Sequence, residues 1–308
     1  FHAPDKPMSQ AFDEDLELIV QAEQLGFKEF WIGEHHTMKY ETIVMPEIFI
    51  ARALGETSSI RLGPAPVCLN QHHPAHVASR LSFLDHLSKG RLNLCFGNGS
   101  VTADQELYSV APKDGGEMAL EAMDCILDLW SHDPPYSHKG KFWQFELKKT
   151  VDTECLIGYI HKPYQLPHPP LSMPGMSRNS YTMKIAGQRG YQPFAHCLVA
   201  GNVVADQWHT YARAADEAGR TPNRADFKVA RSIFLADTTA EAVKRVRTNS
   251  LGRNYEYIGG LFDKGLGRRI YKRDLDMPDT ACQLDYLMTE QIIAGDVDGT
   301  ASSPYKID

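Results

Sequence analysis

Apolar positions along the chain alternate between two periods. Leu16, Ile19 and Val20 share one helical face, and that helix runs out at Gly26; Phe30-Trp31-Ile32 then reads as a short strand. Pro46 suits the first turn of a second helix. Ile60–Val67 is the next strand. Pro74 opens a third helix with Val77, Leu81 and Leu84 inward, closed by Lys89-Gly90. Leu92–Phe96 reads as a strand, and Glu117–Trp130 as a helix with Met118, Ala122, Cys125, Ile126 and Leu129 on its apolar face. Pro170–Met173, Gln192–Leu198 and Phe227–Leu235 are three further strands, with helices near 180–189, 203–218 and 239–248.

Strands alternating with helices of this length imply βαβ units and a parallel sheet. Two stretches break the alternation. Residues 131–168 carry Asp133-Pro134-Pro135-Tyr136 and the aromatic patch Phe142-Trp143-Gln144-Phe145, and read as a hairpin and long loop inserted in one βα connection. Residues 249–280, with several glycines and the pair Arg268-Arg269, read as an irregular loop. A doubly wound sheet and a closed barrel both fit the alternation. A nucleotide-binding doubly wound sheet usually shows GxGxxG in its first βα turn, which is absent, and Gly97-Asn98-Gly99 lacks the third glycine. The expectation is therefore a single TIM-barrel domain over 1–308.

Composition narrows the function without naming it. The chain has 308 residues and a net charge of −7, which gives no electrostatic footprint for nucleic acid and no basic face for a membrane. No apolar run approaches the ~20 residues needed to span a bilayer. Six cysteines are scattered without CxxC spacing, so neither a zinc ribbon nor a disulfide scaffold is indicated, and a cytoplasmic setting with reduced thiols is expected.

In a barrel, chemistry sits at the C-terminal ends of the strands. The polar residues there are Glu34-His35-His36-Thr37, Asn70-Gln71-His72-His73, Gly97-Asn98-Gly99-Ser100, Gly175-Met176-Ser177-Arg178-Asn179-Ser180 and His196, with Ala65-Pro66 among them. His72 and His76 have helical ligand spacing, but no HExxH or HxH accompanies them, and no metal site is expected. No GxSxG supports a nucleophilic serine. Gly175 to Ser180 suggests phosphate binding instead: glycine allows close backbone approach, the two serines supply hydroxyls, and a helix N-terminus follows. An ordinary serine N-cap would explain one of those serines equally well.

Three segments carry a family resemblance. Leu25-Gly26-Phe27-Lys28-Glu29-Phe30-Trp31-Ile32-Gly33-Glu34-His35-His36 resembles the signature of bacterial luciferase-like flavin monooxygenases, as do Leu87-Ser88-Lys89-Gly90-Arg91 and Ala186-Gly187-Gln188-Arg189-Gly190. Pro134-Pro135-Tyr136 and the proline-rich stretch 162–170 resemble the limonene- and ketocamphane-monooxygenase branch. The resemblance implies a (β/α)8 barrel that binds reduced FMN from a separate flavin reductase. Oxygen then adds at the flavin C4a carbon, and the peroxyflavin attacks a small apolar organic substrate. It implies that His35, and less strongly His36, is catalytic. An imidazole with a pKa near ambient pH suits such proton traffic. Asn98 would lie over the flavin, and Gly175, Met176, Ser177 and Ser180 would surround the FMN phosphate. The reactive cysteine of luciferase falls at Gly97, and Cys95 receives no role.

The resemblance implies further that the Ala65-Pro66 bond is cis and lies against the flavin ring, and that Ile43–Ala53 supports a homodimer. It places the first barrel strand just before Phe1 and the eighth after Gly295, so the chain supplies about six or seven of the eight strands. A non-catalytic flavin-binding protein with a reduced barrel, like the non-fluorescent flavoprotein of luminous bacteria, and a deazaflavin-dependent oxidoreductase are the alternatives.

Overall fold

The computed structural model of the chain describes residues 2–199, 201–246, 249–264 and 292–295. They fall into two compact units, one running through Ser172 and the other from Met173 onward.

The first unit alternates strand and helix: α1 (Met8–Gln24), β1 (Glu29–Ile32), α2 (Pro46–Leu54), β2 (Arg61–Pro64), β3 (Val67–Cys68), α3 (Pro74–Ser88), β4 (Leu94–Gly97), α4 (Thr102–Leu107) and α5 (Gly115–Ser131). The hairpin β5 (Tyr136–Lys139) and β6 (Gln144–Leu147) follows, and the unit ends on the first residues of β7 (Leu171–Gly175). β1 pairs in parallel with β2, β3 with β4, and β4 with Leu171 and Ser172. Ile32, Leu62, Val67, Leu94 and Phe96 of the strands are buried, as are Val77 and Leu81 of α3 and Ile126 of α5. Pro46 and Pro74 stand in the first turns of α2 and α3, where their missing N–H has no helical partner to lose. Lys89 ends α3 in the left-handed region at φ 52°, with Gly90 following.

The expected strand Ile60–Val67 is two strands. Pro66 has no N–H to give to a ladder, so pairing stops at Pro64 and resumes at Val67. The Ala65–Pro66 peptide is cis, as expected, and so are Pro134–Pro135 and Leu166–Pro167. The 131–168 insertion is a hairpin and loop, with Tyr136 opposite Leu147. Glu121 of α5 holds its tip by accepting backbone N–H bonds from Lys141, Phe142 and Trp143. Arg61 ties the loop to the strand bases, its guanidinium donating to Asn93 Oδ1, the Gly90 and Leu92 carbonyls and Gln165 Oε1. Gln165 in turn bonds Asp85.

The second unit contains the remainder of β7, then α6 (Tyr181–Arg189), β8 (Gln192–Ala195), α7 (Gly201–Glu217), β9 (Lys228–Val229), β10 (Ser232–Leu235), α8 (Thr239–Val246), α9 (Ser250–Asp263) and β11 (Ile292–Gly295). β8 pairs in parallel with β9, and β10 with β11. Ala195, Val199, Val203 and Val204 form a core cluster, with Met176 and Phe227 packed on it. The stretch from 249 was expected to be irregular, yet Ser250–Asp263 is helical. Leu251, Tyr255, Ile258 and Leu261 recur at helical spacing. Gly252, Gly259 and Gly260 each cost ~1 kcal/mol relative to Ala, which that periodic stripe outweighs. Residues 265–280 of the expected loop lie outside the described residues.

Candidate active site

β1 delivers Gly33-Glu34-His35-His36-Thr37 to its C-terminal end. Glu34 is 2% exposed. Its Oε1 accepts from His36 Nε2 at 3.0 Å and from His72 Nε2 at 2.5 Å, and its Oε2 accepts the Cys68 backbone N–H at 3.1 Å. Burial alone would push this carboxyl up, but the bonds from His36 and His72 outweigh it and hold the pKa at about 2. With Nε2–H turned to Glu34, His36 Nδ1 accepts from the Tyr108 hydroxyl at 3.0 Å. Tyr108, His36, Glu34 and His72 thus form one hydrogen-bonded chain, running from a partly exposed phenol to a buried carboxylate.

His35 takes different partners. Its Nε2 lies 2.9 Å from Glu41 Oε2, and its Nδ1 lies 3.6 Å from Asp104 Oδ2. Asp104 stands on α4, is buried, and also accepts from Thr37 Oγ1 at 2.5 Å. Burial alone would lower the His35 pKa; Asp104 and Glu41 override it and raise the pKa to about 10. An imidazole titrating near ambient pH was expected, and the two carboxylates overturn that. His35 is an imidazolium at neutral pH, a proton donor or fixed cation and not a base. At 3.6 Å the Asp104 contact is an ion pair without a hydrogen bond, so the buried Nδ1–H has no acceptor.

The other candidates of this unit sit on neighbouring strand ends. Ala65 N–H donates to the Ile32 carbonyl at 2.7 Å, which fastens the Ala65–Pro66 corner to the end of β1. Asn98 follows β4, and a Cβ on Gly115 would come 3.9 Å from its Nδ2. The 3-10 turn Leu69–Gln71, after β3, holds Asn70 and Gln71. Both are buried, and all four of their side-chain polar atoms lack a hydrogen-bond partner. Cys68 and Cys95 are buried and not in a disulfide, and burial pushes the Cys68 thiol well above its usual range, so Cys68 is not poised as a nucleophile.

In the second unit, Gly175 ends β7, and a Cβ there would meet Met183 Cε at 2.4 Å. Met176 packs on the Ala195 cluster. The Ser177 carbonyl accepts from Gln207 Nε2 at 3.3 Å, and the Asn179 N–H donates to Asp206 at 2.6 Å. Ser180 is the N-cap residue of α6 but makes no side-chain cap bond; its hydroxyl meets Thr182 Oγ1 at 2.8 Å, while Thr182 donates to the Pro174 carbonyl. The first-turn amides of α6 are therefore not consumed by the serine, contrary to the simple N-cap reading.

Among the described residues, Glu34, His36 and His72 bring their ligand atoms within 4.8 Å of one another, a grouping in which a metal could be held. His76, the partner that sequence spacing suggested for His72, is not part of it. The Nε2 contacts at 2.5 and 3.0 Å are those of hydrogen bonds to an ionised carboxylate, which accounts for all three side chains. Sequence reasoning left Glu34, Glu41, Asp104 and Tyr108 without roles. Glu34 stood in the strand-end run and could have been found. Asp104 and Tyr108 belong to the short helix α4 and its end, which the apolar pattern does not announce, and Glu41 to an irregular segment.

A sequence model of the family described as luciferase-like monooxygenase matches residues 1–287. The chain is 32% identical to 2,5-diketocamphane 1,2-monooxygenase 1 of Pseudomonas putida, over 96% of this chain and 83% of that protein. It is 33% identical to limonene 1,2-monooxygenase of Rhodococcus erythropolis, over 80% of this chain and 61% of that one. Among solved structures it is similar, at a TM-score of 0.82 and 27% identity, to the oxygenating constituent of 3,6-diketocamphane monooxygenase of Pseudomonas putida in complex with FMN. That match covers 97% of this chain and 83% of the other. The βα alternation is thereby that of the luciferase-like α/β barrels.

Proposed function

The chain belongs to the luciferase-like monooxygenase family, and from that premise we propose that it is the oxygenating component of a two-component flavin monooxygenase. Its cofactor would be reduced FMN supplied by a separate flavin reductase. Its second substrate, beside O2, would be a small, largely apolar organic molecule. The similar diketocamphane enzyme, described as an oxygenating constituent and bound to FMN, supports both the cofactor and the division of labour.

One observation carries the reading: a half-buried imidazolium, His35, whose enclosed Nδ1–H has no acceptor, stands at a strand end of this family's barrel. When bound, reduced FMN supplies the electrons that activate O2. The protein's own contribution is electrostatic and protonic. His35 holds a positive charge and a donatable proton where negative charge develops on oxygen. Glu41 and Asp104 keep it protonated. The Tyr108–His36–Glu34–His72 chain keeps a second, anionic station apart from it, and can pass a proton between the exposed phenol and the interior. The orphaned carboxamides of Asn70 and Gln71 leave hydrogen-bonding capacity for a flavin ring. Within the second unit, Ser180 leaves the amides at the start of α6 uncapped, as binding of an anion such as a phosphate requires. A cytoplasmic homodimer fits the same reading: Val44 and Ile48, in the Ile43–Ala53 segment, are exposed apolar residues, and no helix among the described residues is long and apolar enough to cross a membrane.

The test is incorporation of 18O from labelled O2 into a panel of small ketones, alkenes and aldehydes, with FMN reduced by an added reductase. His35→Ala is expected to keep FMN binding and lose ~10²–10⁴-fold in turnover. Flavin binding without oxygen incorporation into any panel member would favour a non-catalytic flavoprotein. Activity with a reduced deazaflavin alone would favour the oxidoreductase alternative.

A further inference from the structure

Asn70 and Gln71 are adjacent in the 3-10 turn after β3, with 1% and 8% of their surface exposed. Neither Asn70 Nδ2 or Oδ1 nor Gln71 Nε2 or Oε1 has a hydrogen-bond partner. Buried polar atoms are nearly always paired, because an unpaired amide loses its bonds to water and gains nothing in return. Two whole carboxamides left unpaired side by side are four such atoms. A glycine stands close beside each carboxamide, where a larger residue would crowd it. A Cβ at Gly115 would stand 3.0 Å from Asn70 Nδ2, and one at Gly99, whose φ is +62°, would stand 3.0 Å from Gln71 Nε2 and 3.1 Å from Cys68 Sγ.

The chemistry of the missing partner follows from the atoms. Each carboxamide presents one donor and one acceptor, whichever way round it is turned. Two of them in tandem complement a planar edge on which carbonyl oxygens and N–H groups alternate. The reduced isoalloxazine ring has such an edge, in the order O2, N3–H, O4, N5–H. We propose that the Asn70 and Gln71 carboxamides are the groups that read this edge of the flavin ring. The assignment rests on the flavin reading above and adds two residues to it. It explains why the turn tolerates unpaired amides: their partner arrives with the cofactor.

The experiment uses Asn70→Leu and Gln71→Met, which keep approximate shape and remove the amides. Two readouts are taken on the full chain: the melting temperature without flavin, and anaerobic binding of reduced FMN and reduced lumiflavin, a ring without ribityl phosphate. Without flavin, each variant is expected to melt at or above the parent temperature, because orphaned buried amides have been replaced by apolar groups. Each is expected to bind both ligands about tenfold more weakly, the loss from one or two hydrogen bonds. A loss of the same factor for lumiflavin places the contact on the ring. Lower melting with parental affinity would show that the amides serve the fold and would overturn the assignment. A loss for FMN but not for lumiflavin would also overturn it, by moving the contact to the phosphate end. A parent that binds neither ligand would remove the flavin reading itself, and this assignment with it.

Discussion

Asp104→Asn tests the charge state of His35 directly. The substitution keeps the shape of the side chain and an oxygen for Thr37 Oγ1, and removes one negative charge 3.6 Å from His35 Nδ1. At that distance and an effective dielectric of ~20, a unit charge pair is worth about 5 kcal/mol; fully water-like screening would reduce it to about 1 kcal/mol. Since ~1.4 kcal/mol corresponds to one pH unit, the His35 pKa is expected to fall from about 10 by about one to three units. Glu41, 2.9 Å from Nε2, keeps it above the value for a free imidazole. Nitrogen-15 NMR titration of the imidazole, without flavin, reads this directly. The alkaline limb of the kcat/KM profile should move down by the same amount if His35 acts protonated. The sign for stability follows from linkage: a raised histidine pKa contributes stability that is complete below pH ~6.5 and is lost as pH rises through about 10. In Asp104→Asn that loss sets in at lower pH. A His35 that titrates near 6.5 in the parent, or still near 10 in the variant, would refute the ion-pair argument.

Other consequences are as direct. Glu34, held at about 2, contributes stability present above pH ~4.5 and lost as pH falls toward 2; Glu34→Gln should flatten that acid limb in urea titrations and destabilise the protein at pH 7 by ~1–3 kcal/mol, because two histidine N–H donors lose an ionic acceptor. Replacing Ser177 and Ser180 together by alanine should weaken FMN more than riboflavin, as calorimetry of both ligands would show; equal losses would put the phosphate elsewhere. Gly187→Ala places a Cβ 2.4 Å from the Tyr211 carbonyl oxygen and 2.9 Å from the Ala215 nitrogen, so α6 must move off α7, at a cost of ~1–3 kcal/mol visible as a lower melting temperature.

What the sequence determined by itself was whatever depends on neighbours along the chain. The βα alternation is written in apolar periodicity, with Pro46 and Pro74 marking helix starts and Lys89-Gly90 a helix end. The 131–168 hairpin was legible from its prolines and aromatics, and the strand-end rule singled out the Glu34–Thr37 and Asn70–His73 runs. Glycines within Ser250–Asp263 misled local reading, because a few weak penalties looked like a boundary and were outvoted by a longer apolar stripe. The tertiary structure alone decided the chemistry of the two histidines. His35 and His36 are consecutive and alike in sequence, yet one lies between Glu41 and Asp104 and the other between Glu34 and Tyr108. A pKa is set by burial and by charges within a few ångströms; Asp104 and Tyr108 are 69 and 72 residues away in the chain from the imidazoles they face. The same holds for Asn70 and Gln71, since only the packed structure shows that four polar atoms are enclosed without a partner.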